Sequence, residues 1–168
     1  MAGGTGGHVI PAISIAEVFK NRKISVVWLG TQQGIESELV PANGFDINYI
    51  DIEGLRGTRI LKWLKAPYTL IKAIFQAMIV IYRESPDMIL GLGGFASGPG
   101  GVAAKIMRLP LIIHEQNSIP GTTNKILAKV ATRVLTAFPD TLPRGECIGN
   151  PVREEISSLQ PTLLSRID

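Results

Sequence analysis

The chain opens Met1-Ala2-Gly3-Gly4-Thr5-Gly6-Gly7-His8, and the reading of these residues decides the fold. Four glycines and a threonine stand directly before a segment, Val9 to about Asn21, that reads as a helix. A loop without Cβ atoms lets a ligand reach the backbone. The helix behind it points unpaired N–H groups and a partial positive charge at the same place. That is a site for an anion, most often a phosphate or pyrophosphate. It is not a nicotinamide fingerprint, because Val9 stands where the third glycine belongs and the next strand ends in Gly30-Thr31, with no acid for a ribose hydroxyl. It is not a P-loop either, since no Gly-Lys-Ser/Thr follows.

Working outward, extended and helical patterns alternate. Ile24–Leu29 is a continuous apolar run, as expected of a strand buried on both faces. Ile35–Pro41 reads as a short helix stopped by Asn43-Gly44, and Ile47–Ile52 as a strand. Ile60–Glu84 is helical in character, with Pro67 expected to kink it or break it in two. Met88–Leu92 is a strand, followed by Gly91–Gly101 (GLGGFASGPGG), which holds six glycines. Helices are expected at Gly101–Arg108 and Pro120–Val130, and extended pieces at Leu111–His114, Arg133–Thr136 and Cys147–Ile148. This alternation predicts an α/β fold, a Rossmann-like parallel sheet with helices on both faces. In such sheets ligands bind at the carboxyl ends of the strands, where both glycine loops fall. Only Met1-Ala2 precedes the first loop, so the first strand is expected to be mostly missing.

At 168 residues and 45% hydrophobic content, one domain with a sizeable core is expected. A single cysteine, Cys147, excludes a disulfide framework and a cysteine metal cluster, and suits a reducing compartment. No apolar segment of signal-peptide type opens the chain. The net charge of +3 is unevenly placed. From Gly54 to Arg83 there is no acid, against Arg56, Arg59, Lys62, Lys65, Lys72 and Arg83, so the rest of the chain is net acidic.

Several residues carry candidate chemistry. His8, beside the presumed anion, reads as a general base, as a phosphate partner, or as a polar residue bonded to a backbone carbonyl. Ser97 in the second loop has a hydroxyl to donate. His114-Glu115-Gln116-Asn117 ends an apolar strand, where binding groups project; His114 suits a core histidine, Glu115 and Asn117 a substrate contact. Arg153, in the turn Gly149–Arg153, is either an anion ligand or a solvated surface residue. In Ile60–Tyr82, Lys62, Lys65 and Lys72 are interleaved with Leu61, Trp63, Leu64, Tyr68, Leu70, Ile71, Ile74 and Phe75, and no acid is expected to pair with them. A basic helix with large apolar residues suits an anionic bilayer surface better than plain core. It is no transmembrane span, since Pro67, Lys72 and Gln76 interrupt it. Nucleic acid is not expected, because no aromatic stacking platform or RNA-binding signature is present.

Together GGTGGHVIPAISIA, GLRG (Gly54–Gly57), LGLGGFASGPGG, HEQNSIPGTTNKILAKVAT and GNPVR resemble, in order and register from Met1 to about Glu155, the amino-terminal half of the MurG family. These are the N-acetylglucosaminyltransferases acting on undecaprenyl-pyrophosphoryl-N-acetylmuramyl-pentapeptide in peptidoglycan synthesis. The resemblance implies a GT-B fold, two Rossmann-like domains facing across a cleft. It implies inverting, metal- and cofactor-independent transfer from UDP-N-acetylglucosamine to the muramyl C4 hydroxyl, on the cytoplasmic face of the inner membrane. Residues 1–155 would be the acceptor-binding, membrane-associating domain, 156–168 the start of an interdomain linker, and the carboxy-terminal donor domain would be absent. Donor contacts carry over to Thr5, Gly6, Gly7, Asn117 and Arg153, and the acceptor pyrophosphate to Gly3, Gly4, Gly93, Gly94, Ser97 and Gly98. The membrane patch falls on Leu61, Lys62, Leu64, Lys65, Tyr68, Ile71, Lys72 and Ile74. His8 is the first choice for the base that takes the acceptor proton and Glu115 the second. Without the facing domain, little or no activity is expected of the chain alone. A different class of function also remains open, a non-catalytic membrane-bound module that binds pyrophosphoryl lipids.

Overall fold

The computed structural model describes residues 1–52 and 60–151, and for residues 60–65 the backbone alone. Helix α1 (Gly6–Asn21) leads to strand β1 (Val27–Gly30), α2 (Glu36–Ala42), β2 (Asp46–Tyr49) and the long α3 (Ile60–Glu84). Then follow β3 (Ile89–Gly91), α4 (Ser97–Ile106), β4 (Leu111–Glu115), α5 (Thr122–Leu127), β5 (Arg133–Thr136) and β6 (Gly145–Cys147). All pairings are parallel: β1 with β2, and β3-β4-β5-β6 in sequence order.

Met1 and Ala2 join the two groups of strands. The Met1 amino group donates to the Leu90 carbonyl at 2.7 Å, and Leu92 N–H donates to the Met1 carbonyl at 2.9 Å, the ladder pattern of a parallel neighbour of β3. From the other side the indole N–H of Trp28, on β1, donates to the Ala2 carbonyl at 2.9 Å.

Alternate side chains of the strands enter two cores. Trp28 and Leu92 join Val9, Ala12, Ile13 and Ala16 of α1 and Val40 of α2 on one face, with Leu90 packed against them. Leu29, Ile89, Leu111, Ile113 and Val134 join Ala73, Ala77 and Ile81 of α3, Ala103 and Ala104 of α4 and Leu127 of α5 on the other. The sheet is thus covered on both faces, as the alternation of patterns predicts. Small residues set the spacing: a Cβ on Gly101 would stand 2.6 Å from Leu127 Cδ2.

Several features differ from the sequence reading, among them the start of α1 at Gly6 in place of Val9 and the end of β2 at Tyr49 in place of Ile52. Strand β1 starts at Val27 instead of Ile24, because α1 ends in a Schellman motif: Lys23 is left-handed (φ 59°), and Ile24 N–H returns to the Phe19 carbonyl. Helix α4 starts at Ser97, so the Gly98-Pro99-Gly100-Gly101 run is its first turns and not loop. Helix α5 covers only Thr122–Leu127 of the expected Pro120–Val130. Helix α3 runs through Pro67 unbroken. One proline removes one ladder bond, and an apolar stripe packed along the sheet outweighs that loss.

Replacing Trp28 with Phe keeps the ring buried but removes the donor to Ala2. Urea denaturation is expected to show a loss of about 1–3 kcal/mol, the cost of a buried carbonyl without its partner.

Candidate functional site

The two glycine loops meet backbone to backbone at the carboxyl ends of the strands. Gly94 has φ +84°, and a Cβ on it would lie 2.0 Å from the Gly3 carbonyl oxygen, so only glycine fits. Gly93, also left-handed (φ +110°), faces the His8 ring, which a Cβ would approach to 3.0 Å. Ser97 is fully buried, and its hydroxyl lies 2.7 Å from the Gly93 carbonyl and 3.1 Å from that of Met1. That hydroxyl ties the loops together inside the fold and is not turned to a ligand. Gly98 follows it, half-buried, in the first turn of α4.

Beneath the first loop lies Glu36, with no exposed surface. Its Oε2 accepts from Gly4 N–H at 2.9 Å, and its Oε1 accepts from Thr31 N–H at 3.0 Å and Thr31 Oγ1 at 2.7 Å. Glycines enclose it: a Cβ on Gly3 would fall 2.5 Å from Oε1 and one on Gly34 2.0 Å from Oε2. One carboxylate therefore sets the loop against the end of β1, and it engages one of the amides that the bare loop offers.

His8 lies in the first turn of α1, half-buried, with Nδ1 3.1 Å from Gln116 Oε1. Gln116 Nε2 lies 3.1 Å from His114 Nδ1 and 3.0 Å from the His114 carbonyl, and His114 Nε2 lies 3.0 Å from the Gly149 carbonyl. Among the described residues no hydrogen bond engages His8 Nε2. Burial lowers the pKa of His114 below its usual 6.5, against smaller opposing effects of the Gly149 carbonyl and the Glu115 charge.

Glu115 has no exposed surface, and its carboxylate is fully engaged. Oε1 accepts from Asn117 N–H at 3.0 Å and Asn117 Nδ2 at 2.9 Å, and Oε2 from Gly121 N–H at 3.1 Å and Asn124 Nδ2 at 2.9 Å. Its geometry is that of a group holding the 117–121 loop, not of a base open to a hydroxyl. Of the donor candidates, Thr5, Gly7 and Asn117 are exposed and Gly6 is half-buried, all on the edge that carries the two loops. Arg153 lies outside the described residues.

The candidate membrane residues divide. The side chains of Leu61, Lys62, Leu64 and Lys65 lie outside the described residues. Tyr68 and Ile71 are open to solvent, at 73% and 55% exposure, and share the α3 surface with Phe75, Ile79 and Tyr82. Ile74 instead packs against the core. Lys72 does have an acid, for its Nζ lies 2.7 Å from Asp51 Oδ2. Asp51 precedes the acid-free stretch and reaches Lys72 through the chain's return. The hydrogen bond from Lys72 holds Asp51 below the usual carboxylate range. Among the described residues no helix is long and apolar enough to cross a membrane, and no cluster of three or more His, Cys, Asp or Glu could hold a metal ion.

Sequence reasoning missed Glu36, Gln116 and Asn124. Gln116 and Asn124 stand in the quoted motifs, but only the fold brings Gln116 to His8, 108 residues away, and turns Asn124 back onto Glu115. Glu36 had one local signal, a short Gly34-Ile35-Glu36 turn after a strand ending in Gly30.

Residues 1–136 match the family described as Glycosyltransferase family 28 N-terminal domain. The chain is 53% identical over 161 residues to a protein of Shewanella piezotolerans named UDP-N-acetylglucosamine–N-acetylmuramyl-(pentapeptide) pyrophosphoryl-undecaprenol N-acetylglucosamine transferase. That match covers 95% of this chain and 44% of the relative, so the chain spans less than half the length of the curated relatives it matches. The crystal structure of Acinetobacter baumannii MurG superposes with a TM-score of 0.78 at 40% identity, over 88% of this chain and 43% of that one. A UDP-N-acetylglucosamine 2-epimerase from Rickettsia bellii shares the fold, with a TM-score of 0.64 at 18% identity over 98% of this chain and 47% of the other.

The pH dependence of stability follows from two buried bases. Burial lowers the Met1 amino group from 8.0 to about 5, and His114 also sits below 6.5. For both, the unfolded chain binds the proton more readily than the folded one. Their contribution is present above the unfolded pKa and is lost as pH falls through the folded value. Melting temperatures are expected to fall from pH 8 to pH 5, and His114→Asn to flatten the curve only below pH 6.5.

Proposed function

The chain belongs to glycosyltransferase family 28, whose N-terminal domain it carries, and on that premise we propose that it is the acceptor-binding half of an inverting, metal-independent transferase. The reaction moves N-acetylglucosamine from UDP-N-acetylglucosamine to the C4 hydroxyl of the muramyl sugar in a lipid-linked pyrophosphoryl N-acetylmuramyl-pentapeptide, a step of peptidoglycan synthesis. The names of the half-identical relatives support the substrates. The observation that carries the reading is the meeting of two glycine loops beside a histidine whose Nε2 no described residue engages.

The chemistry assigns each group a task. The acceptor oxygen attacks the anomeric carbon as the bond to the UDP phosphate oxygen breaks, and the electron pair leaves with UDP. The acceptor proton passes to His8 Nε2, and Gln116 Oε1 supports the imidazolium through Nδ1–H. The amides at the starts of α1 and α4 face the phosphates. Thr5, Gly6, Gly7 and Asn117, with Arg153, are the donor contacts of this half. The uridine is held by a carboxy-terminal domain of the kind the longer relatives have room for.

The exposed apolar residues of α3 support a peripheral position on a membrane surface, which the family resemblance makes the cytoplasmic face of the inner membrane. On the described part of α3, Lys72 is paired with Asp51 and Arg83 with Glu84.

The reading is tested in a protein joining residues 1–168 to the carboxy-terminal domain of the Shewanella relative. His8→Gln is expected to lower kcat by about 10²–10⁴ with little change in KM. An unchanged kcat, or full turnover by residues 1–168 alone, would overturn it. In flotation with anionic liposomes, the triple change Ile71→Ser, Phe75→Ser, Ile79→Ser is expected to release the chain; undiminished binding would remove the membrane role from this face.

A further inference from the structure

We infer that Gln116 and His114 are positioning residues that fix the tautomer of His8, so that its proton sits on Nδ1 and its lone pair on Nε2. The inference rests on the reading of His8 as the base, and it follows from the fold in four steps.

The Gly149 carbonyl can only accept, so His114 Nε2, 3.0 Å away, carries a hydrogen. His114 is 1% exposed, and burial disfavours its charged form. Neutral, with its one hydrogen on Nε2, it has a bare Nδ1 that must accept. The partner 3.1 Å from that nitrogen is the Gln116 side chain, which must therefore present its NH2 end. A second acceptor demands the same orientation, since the His114 main-chain carbonyl lies 3.0 Å from the same atom. Turning the amide over would set oxygen against oxygen there and force a second proton onto a buried imidazole.

Gln116 Oε1 consequently faces His8, and an amide oxygen only accepts. His8 Nδ1, 3.1 Å away, is then the donor, and Nε2 keeps its lone pair. The polarity of the whole chain is set at the Gly149 turn, whose left-handed φ of +83° presents that carbonyl. Gly93 leaves room for the ring to hold its place. A histidine free to exchange tautomers would offer Nε2 as a base for only part of the time, and this arrangement offers it throughout.

The chain has only two histidines, so long-range 1H–15N correlation of the 168-residue chain resolves both imidazoles. His8 is expected to carry its proton on Nδ1 and His114 on Nε2. Gln116→Leu, which removes the acceptor, is expected to turn His8 into a mixture of tautomers. Gln116→Glu keeps an acceptor for His8 but offers His114 no hydrogen. It is expected to leave His8 on Nδ1 and to drive His114 to the doubly protonated form. Protonation of His8 on Nε2 in the unaltered chain overturns the inference without reference to any variant's folding. A folded Gln116→Leu chain with His8 still wholly on Nδ1 also overturns it. The transferase reading fails separately, by a joined enzyme in which His8→Gln retains its kcat while the tautomer of His8 stands as inferred.

Discussion

The contact between Gly3 and Gly94 governs this domain. Two loops from different strands touch through main-chain atoms, with the Gly3 carbonyl where any Cβ on residue 94 would stand. Main-chain contact leaves no room for side-chain adjustment, so the relative height of the loops is set to a fraction of an ångström. The other positioning elements refer to that height. Ser97 binds the second loop to Met1, Trp28 binds Ala2 to β1, and Glu36 binds Gly4 to Thr31.

From this contact the site is built by short, fully engaged polar groups. Glu115 has four donors on two oxygens, and the loop that bears Asn117 is held through them. Buried carboxylates so satisfied act as fasteners. His8, by contrast, keeps an Nε2 that no hydrogen bond among the described residues engages. Helix α3 stands apart from this network. Its Ala73, Ala77 and Ile81 enter the core, while Ile71, Phe75 and Ile79 do not. An amphipathic element thus packs against the sheet without sharing the polar network of the glycine loops.

Much of this was legible in the chain itself. Apolar runs and glycine clusters announced a parallel sheet with ligand loops on one edge, and β5 and α3 fell on the residues expected. The motifs put His8 and the 114–117 segment on the edge where the glycine loops meet. What stayed illegible depends on which partners each side chain meets once the chain is folded. Ser97 looked like a phosphate ligand because its loop is glycine-rich, yet its hydroxyl turns inward to a carbonyl 96 residues away in sequence. Glu115 looked like a base because it is an acid at a strand end, yet four donors close around it. Lys72 looked unpaired because its partner, Asp51, lies on the far side of the acid-free stretch. Side-chain direction decides each of these cases, and periodicity carries no information about it.

The carboxylate of Glu36 has a consequence for what the first loop offers. A bare glycine loop at a helix start would ordinarily collect free phosphate or sulfate from its surroundings. Here the amide of Gly4 is already occupied by an internal acid, which also places negative charge directly under the loop. The loop therefore offers the crevice one amide fewer than its glycines suggest. The buried acid therefore makes the height of Gly4 depend on the end of β1, since one carboxylate holds the Gly4 amide and Thr31 together.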